Sequence, residues 1–496
     1  MAKREIVSSL MGKGVLIDRD MLTKIDEIHD LDAFRSVLLQ HPSTSEIDFL
    51  GLLQKYQELK LKKDNVSTPA ETIIPGTVRV ISSYEEEPKK RDVQDFVSHF
   101  TARYEAIRPI LQNRKELQSL TSINRLRQKQ AREKVAIIAI VSDKQVTKTG
   151  KIALTVEDPT GEIKVIITEK SESFELSKEL VLDEIIGITG TCAGDVIFAS
   201  SIIIPDIPIY KELKKSPDEA YAVFISDLHI GSKVFLRDSF EKFISWIRGE
   251  QGSEAQQAVA KKVKYLIIGG DVVEGVGIYP NQENDLDILD IYKQYDEFAR
   301  YMRMLPNHLQ LIICPGNHDA MRIAEPQPAL YKDFAKSVWE LPNVHMVSSP
   351  SYVNIHSSDS FPGFDLLIYH GFSFIYYADA VESIRSQGGQ QRVDLIMKFL
   401  LQRRHLAPSH KSTLYLPDTK KDHLVIDKIP DFFVSGHIHR VSASNYRNVT
   451  MLNCSGWLEK TEYQEKVGLK PQPGRVLLAN LQTRKVKILK FFDGEY

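Results

Sequence analysis

Five apolar runs in the C-terminal portion of this chain end in the same way, on Asp, Asn or His. They are VFISDLHIG (Asp227, His229), YLIIGGDVVEG (Asp271), LIICPGNHD (Asn317, His318, Asp319), LLIYHG (His370) and DFFVSGHIH (His437, His439). Short apolar runs closed by turn residues read as buried strands. A buried strand has no structural use for a carboxylate or an imidazole at its tip. Open α/β sheets, however, place their chemistry just beyond the carboxyl ends of strands, where loops converge on one crevice. Taken singly, Asp271 reads as a cap on a following helix, and Glu274, one turn on, as a helix N-terminal carboxylate. The fivefold repetition outweighs those readings. Eleven of the fourteen histidines follow Glu219, and five of them fall in these motifs. Imidazole nitrogen and carboxylate oxygen suit borderline divalent ions, so manganese, iron or zinc is expected ahead of magnesium.

The remaining chain sorts by period. Residues 1–62 carry apolar residues at three-and-four spacing (LDAFRSVLLQ, EIDFLGLLQKYQELKLK) and predict a small helical domain that docks a partner. Residues 63–91 mix charge, proline and serine and read as a flexible linker. A helical pattern resumes from Asp92. Five β-branched segments then run from 133 to 206, with a helix-like SFELSKEL between the third and fourth. That order is the order of an OB-fold, which places an OB-fold domain with its preceding helix at 92–206. Just upstream of the strands, Arg125, Arg127 and Lys129 form a basic run, which is either a phosphate-binding strip or a solvated helix face. From 219 to 496 strands alternate with helices, an α/β domain. Arg403 and Arg404, before His405 in LLQRRHLAP, either hold a DNA phosphate or pair locally. The last run, KVKILKFF, approximates a sliding-clamp box with Lys485 in place of glutamine, but its alternation reads as a final core strand.

Composition excludes several classes. With 64 basic and 66 acidic residues, bulk charge does not announce a nucleic-acid binder, so DNA contacts must come from local patches. Cys192, Cys314 and Cys454 are too few and too scattered for a disulfide frame or a zinc ribbon. No apolar run reaches the ~18 residues of a membrane span. MAKREIVSSLMGKG lacks the apolar core of a signal peptide, so the expected compartment is the cytoplasm.

The motifs D-x-H, G-D-x-x-E, G-N-H-D, H-G and G-H-x-H resemble those of the calcineurin-like metallophosphoesterases. The resemblance implies a four-layer α/β/β/α domain with two divalent metal ions. Asp227, His229, Asp271 and His439 would hold the first, and Asp271, Asn317, His370 and His437 the second. Sharing Asp271 would set the ions ~3.5–4 Å apart. His318 would be general acid or charge stabiliser, with Asp319 setting its tautomer. Phosphoprotein phosphatases carry G-D-x-x-D-R-G and G-N-H-E, whereas here the second motif continues EGVG and the third ends in Asp319. Longer runs resemble the small subunits of archaeal family D DNA polymerases: GIYPNQENDLDILDIYKQYDEF, RIAEPQPAL, RRHLAP, LVIDKIPDFFVSGHIH and NCSGWLEKTEYQEKVGLKPQPGRV. One stretch departs, Phe372-Ser373-Phe374-Ile375-Tyr376, where that family usually has Arg-Ser-Phe-Asp-Asp. This second resemblance implies a 3′→5′ proofreading exonuclease partnered by a large polymerase subunit and DNA. The rival expectation is a scaffold subunit without catalysis, or a phosphoesterase acting on another ester.

Overall fold

The structure is a computed structural model that describes residues 7, 8, 10, 11, 21, 76–85, 89–127, 132–460, 465 and 470–494. The helical domain expected at 1–62 lies almost wholly outside the described residues, as does Lys129. The unit Ile74–Tyr496 carries everything that follows.

Its strands are β1 (Val78–Ser83), β2 (Glu133–Val146), β3 (Ile152–Asp158), β4 (Gly161–Ile167), β5 (Ile185–Ala193), β6 (Val196–Ile203), β7 (Tyr221–Ile225), β8 (Val263–Ile268) and β9 (Gln310–Ile313). They continue as β10 (Val344–Met346), β11 (Ser351–Ile355), β12 (Phe364–Ile368), β13 (Phe432–Ser435), β14 (Ser442–Tyr446), β15 (Val449–Asn453), β16 (Arg475–Asn480) and β17 (Val486–Lys490). Strands β2 to β6 close a barrel in the order β2-β3-β4-β6-β5, with β5 returning to β2. A short helix, Phe174–Lys178, falls between its third and fourth strands. This is the order expected of an OB-fold. The barrel is filled by β-branched side chains such as Ile137, Val156, Val165, Ile188 and Ile197.

The other strands build two six-stranded sheets, β10-β9-β8-β7-β16-β17 and β1-β11-β12-β13-β15-β14. Side-chain alternation shows how the sheets stack. In β7, Tyr221, Val223 and Ile225 face a core shared with helices Arg237–Ile247 and Ile291–Arg303, while Ala222 and Phe224 face the other sheet. Phe224 meets Phe432 of β13 there, ring centroids 5.9 Å apart. The second sheet is covered on its far face by helices Phe374–Ala380 and Val393–Arg403. The result is the expected α/β/β/α sandwich; its central strands β7, β12, β13 and β15 are buried on both faces, which is why they read as unbroken apolar runs, while the edge strands β1, β14 and β17 are partly exposed.

Three expectations need correction. Part of the stretch read as a flexible linker is β1, an edge strand paired antiparallel with β11. Its alternation is short and its partner lies far along the chain, so nothing local marks it. Arg403 and Arg404 do not reach DNA, because both are buried. Arg403 Nε pairs with Glu184 of the barrel at 3.1 Å, and Arg404 donates to the carbonyl oxygens of Ile426 and Asp427. Arg403 ties the barrel to the sandwich, and Arg404 braces a loop within the sandwich. Arg125 and Arg127 remain exposed on the helix Ile123–Arg127. Within KVKILKFF, Val486–Lys490 is a strand as its alternation suggests, but an edge strand and not a core one: β17 pairs antiparallel with β16 alone and Ile488 is exposed. No helix among the described residues is long and apolar enough to cross a membrane.

The helix Val93–Gln112 is pinned to the sandwich by a buried polar knot. Asp422 receives Arg103 Nε at 2.7 Å and His405 Nε2 at 2.9 Å. His405 Nδ1 accepts the Ala407 N–H, so the ring is fixed as the neutral Nε2–H tautomer. Burial first, and then the Arg103 charge, push its pKa down to about 4. The unfolded chain therefore takes up a proton near pH 6.5 that the folded chain refuses until about pH 4. This contribution is complete above pH 6.5 and is lost on acidification, at roughly 1.4 kcal/mol per pH unit. Thermal melting between pH 7 and 4.5 is expected to show a falling Tm. His405→Gln, which does not titrate, flattens that slope. An equal slope in both proteins would exclude His405 as its source.

Candidate metal centre

Strands β7, β8 and β9 are parallel neighbours in one sheet, and β12 and β13 are parallel neighbours in the other. Their carboxyl ends lie at one end of the sandwich, where the loops that follow are stitched to one another. Asp227 N donates to Gly270 O at 2.9 Å, His229 N to Asp271 O at 3.1 Å, and Gly436 N to His370 O at 2.8 Å. The Asp227 carboxylate receives His437 N on both oxygens at 3.0 Å, and Asp271 Oδ1 receives His318 N at 2.7 Å. Close approach requires glycine at the junctions. A Cβ on Gly316 would fall 2.2 Å from Asp271 Oδ1. Five of the expected ligands adopt left-handed backbone: Asp227 (φ 54°), His229 (51°), Asp271 (50°), His437 (69°) and His439 (53°). Non-glycine residues take that conformation only where surrounding contacts over-determine it.

The side chains converge as two sets that share Asp271. Ligand atoms of Asp227, His229 and His439 lie within 4.8 Å of one another, as do those of Asp271, His370 and His437. His229 Nε2 and His439 Nε2 face each other at 3.2 Å, and His439 Nε2 lies 3.5 Å from Asp227 Oδ1. His229 Nε2 is 3.8 Å from Asp271 Oδ2, so Asp271 closes this set. On the other side His370 Nε2 faces two oxygens, Asp271 Oδ2 and Asn317 Oδ1, each at 3.1 Å. His370 Nδ1 is already committed to Gly269 O at 2.8 Å, which leaves Nε2 for the centre.

This donor set fits divalent cations on an observation independent of the motifs. His437 Nε2 is buried with no hydrogen-bond partner among the described residues. A buried nitrogen lone pair without a donor is costly, and a metal ion satisfies it. Electrostatics agree. Burial, then the imidazole of His370, push His437 down to about 3, so it is a neutral donor. Burial opposes ionisation of Asp271, but His370, His318 and His229 outweigh it and hold its carboxyl well below the usual range. Burial likewise opposes a charge on His370, yet Asp271 raises it to about 10.

His318 stands beside both sets with its side chain partly exposed, the ring 4.6 Å from that of His229. Its orientation differs from expectation. Asp319 does not touch the ring. Its carboxylate accepts the N–H groups of Gly316 (2.8 Å), Val272 (3.2 Å) and Val273 (3.3 Å), clamping the second loop to the third. The ring is oriented by Glu274 instead, whose carbonyl oxygen lies 3.0 Å from His318 Nδ1. Glu274 Oε2 also lies 2.9 Å from His229 Nδ1, a charge contact behind a ligand that lacks hydrogen-bond alignment. No helix follows Asp271 directly, so neither carboxylate is a helix cap; the chain runs on as a loop to residue 282. Sequence reading missed Gln294, which is buried on the apolar face of its helix and brackets Gly275, donating to its oxygen at 3.1 Å and accepting from its nitrogen at 2.9 Å. The available signal was a glutamine in register with Phe298 and Tyr301. Phe372 sets its ring 5.6 Å from His437 and gives the centre an apolar flank.

Residues 221–441 match the calcineurin-like phosphoesterase family, so the two sheets and the donor cluster at their strand ends are a phosphoesterase domain of that class. The chain is 36% identical to the DNA polymerase II small subunit of Methanothermobacter thermautotrophicus, over 98% of this chain and 99% of that one. It is 38% identical to that of Archaeoglobus fulgidus (78% of this chain, 75% of that one) and 31% identical to that of Thermoplasma acidophilum (99% and 93%). The chain belongs to the family of archaeal DNA polymerase II small subunits.

Proposed function

We propose that this chain is the proofreading subunit of a two-subunit DNA polymerase, removing nucleotides from the 3′ end of single-stranded or frayed DNA. Asp227, His229, Asp271 and His439 would hold one divalent cation, and Asp271, Asn317, His370 and His437 a second, with manganese the first choice for so many imidazoles. When bound, such a pair supplies Lewis-acid activation of water and of the phosphodiester, and stabilises the charge that develops in displacement. The chain's own part lies with His318. Its Nδ1 faces the Glu274 carbonyl, so Nδ1 carries a hydrogen and Nε2 is the atom left to act. Burial opposes a charge on His318, but Asp271 and Glu274 raise its pKa, which supplies a proton for the leaving oxygen. Water forms the new P–O bond and the bond to the penultimate O3′ breaks. His318 delivers its proton to that oxygen, and a nucleoside 5′-monophosphate leaves.

The observation that carries this reading is a complete donor set with a held but partly exposed imidazole beside it. A mispaired 3′ end frays more readily than a paired one, so a site that takes only single strands edits errors by default. The test uses the full chain with its large polymerase subunit, Mn²⁺ and single-stranded DNA labelled at the 5′ end. A ladder shortening from the 3′ end is expected. Internal cuts, or hydrolysis of a phosphomonoester alone, would overturn the assignment.

A further inference from the structure

Five of the twenty large apolar side chains left exposed among the described residues lie in one stretch: Val276, Ile278, Tyr279, Leu289 and Tyr292. That stretch leaves the metal centre directly, through Glu274 and Gly275. Gly275 packs so closely on His318 that a Cβ there would fall 2.2 Å from its carbonyl oxygen, and Ile278 lies against the same glycine. The loop is held on both sides. Gln282 Nε2 donates to Glu274 O at 3.2 Å and its Oε1 accepts from Ile278 N at 2.9 Å. Gln294 Nε2 donates to Ile288 O at 2.7 Å, and Asp287 N and Ile288 N both donate to Gly231 O. Val276, Leu289, Ile291 and Tyr292 line a shallow concavity with Asp290. A pinned loop that keeps contiguous apolar groups in water presents them to something.

Charge selects what that is. From Val276 to Tyr292 the sequence holds Glu283, Asp285, Asp287 and Asp290 and neither lysine nor arginine, and the two cations that reach the loop, Lys233 on Asn284 O and Arg237 beside Asp287, leave it net acidic. A phosphate backbone is repelled there, whereas a nucleobase is uncharged and offers a flat face to aliphatic and aromatic side chains. We propose that this surface seats the unstacked 3′-terminal nucleobase of the strand whose last phosphodiester lies at His318. The proposal rests on the exonuclease reading and adds to it a base-binding subsite.

The test compares two 5′-labelled single strands, one ending in a normal nucleotide and one in an abasic deoxyribose. The enzyme is the full chain with its large subunit in Mn²⁺, either wild-type or carrying Leu289→Ser with Tyr292→Ser. Both side chains are more than half exposed, so the fold should survive their loss. Wild-type protein is expected to favour the base-bearing end by about tenfold at low substrate, expressed in KM, and the double variant to lose most of that preference. Equal use of both ends by the wild-type protein, or an unchanged preference in the variant, overturns the subsite while leaving the exonuclease intact. A variant that keeps the preference but no longer binds the large subunit shows instead that the face docks protein. If the wild-type protein shortens neither strand, the exonuclease reading fails and the subsite falls with it.

Discussion

Asp271→Asn is expected to strip both cations from the protein and to reduce phosphodiester hydrolysis at least a thousandfold, to background. The substitution keeps the shape of the side chain and an oxygen for the His318 N–H, which Asp271 Oδ1 receives at 2.7 Å. What it withdraws is the charge shared by the two donor sets, with His229 on one side and His370 on the other. A carboxylate bridging two cations offsets charge for both, so neutralising it weakens both sites together. Elemental analysis after gel filtration in Mn²⁺ should fall from about two equivalents per chain to well below one. Retention of a full complement by the variant would remove Asp271 from the bridging position. A control with the same logic is Asn317→Ala, which should weaken the second set and spare the first.

The other large effect belongs to His318. His318→Ala is expected to keep the metal content of the wild type and to lose roughly 10²–10⁴ in kcat, the range of a general acid. A ring nitrogen of His318 comes within 4.8 Å of ligand atoms of His229 and Asp271, but the ring is held by the Glu274 carbonyl, and its hydrogen bond to Asp271 is made by the backbone N–H. The loss should shrink for a substrate whose leaving group is a good one, such as p-nitrophenolate, because such an oxygen departs without a proton. Equal losses on both substrates would make His318 a charge stabiliser and not a proton donor. Metal loss matching that of Asp271→Asn would make it a ligand.

The cluster of polar side chains at the strand ends was legible in the sequence because it violates the economy of a buried strand, and the resemblance to the metallophosphoesterases said which of them to expect as ligands. Polar residues at five strand tips have no other reason to be there, and the structure brings all seven expected ligands to one place. The α/β alternation and the barrel order were legible for a related reason, since period-two and unbroken apolar runs report how many faces of a strand are buried, whereas the four layers came from the family resemblance. What escaped depended on partners remote in sequence. Whether Arg403 is a surface cation or an internal tie is decided by Glu184, contributed by another domain. Asp319 sits beside His318 in sequence, yet the clamp that pulls its carboxylate away is made by the amides of Val272 and Val273. Glu274 was ambiguous because the contact that orients the His318 ring is made by its main chain, which no side-chain motif encodes.

The left-handed backbone at Asp227, His229, Asp271, His437 and His439 has an evolutionary corollary. Each such residue costs about 1 kcal/mol relative to glycine at the same place. The proposed chemistry is thus held against a standing thermodynamic slope. A lineage that no longer needed the chemistry would drift downhill, exchanging these side chains for glycine or asparagine and gaining thermal robustness as it fell silent. A firm, inert descendant of this domain is the outcome that relaxed selection favours.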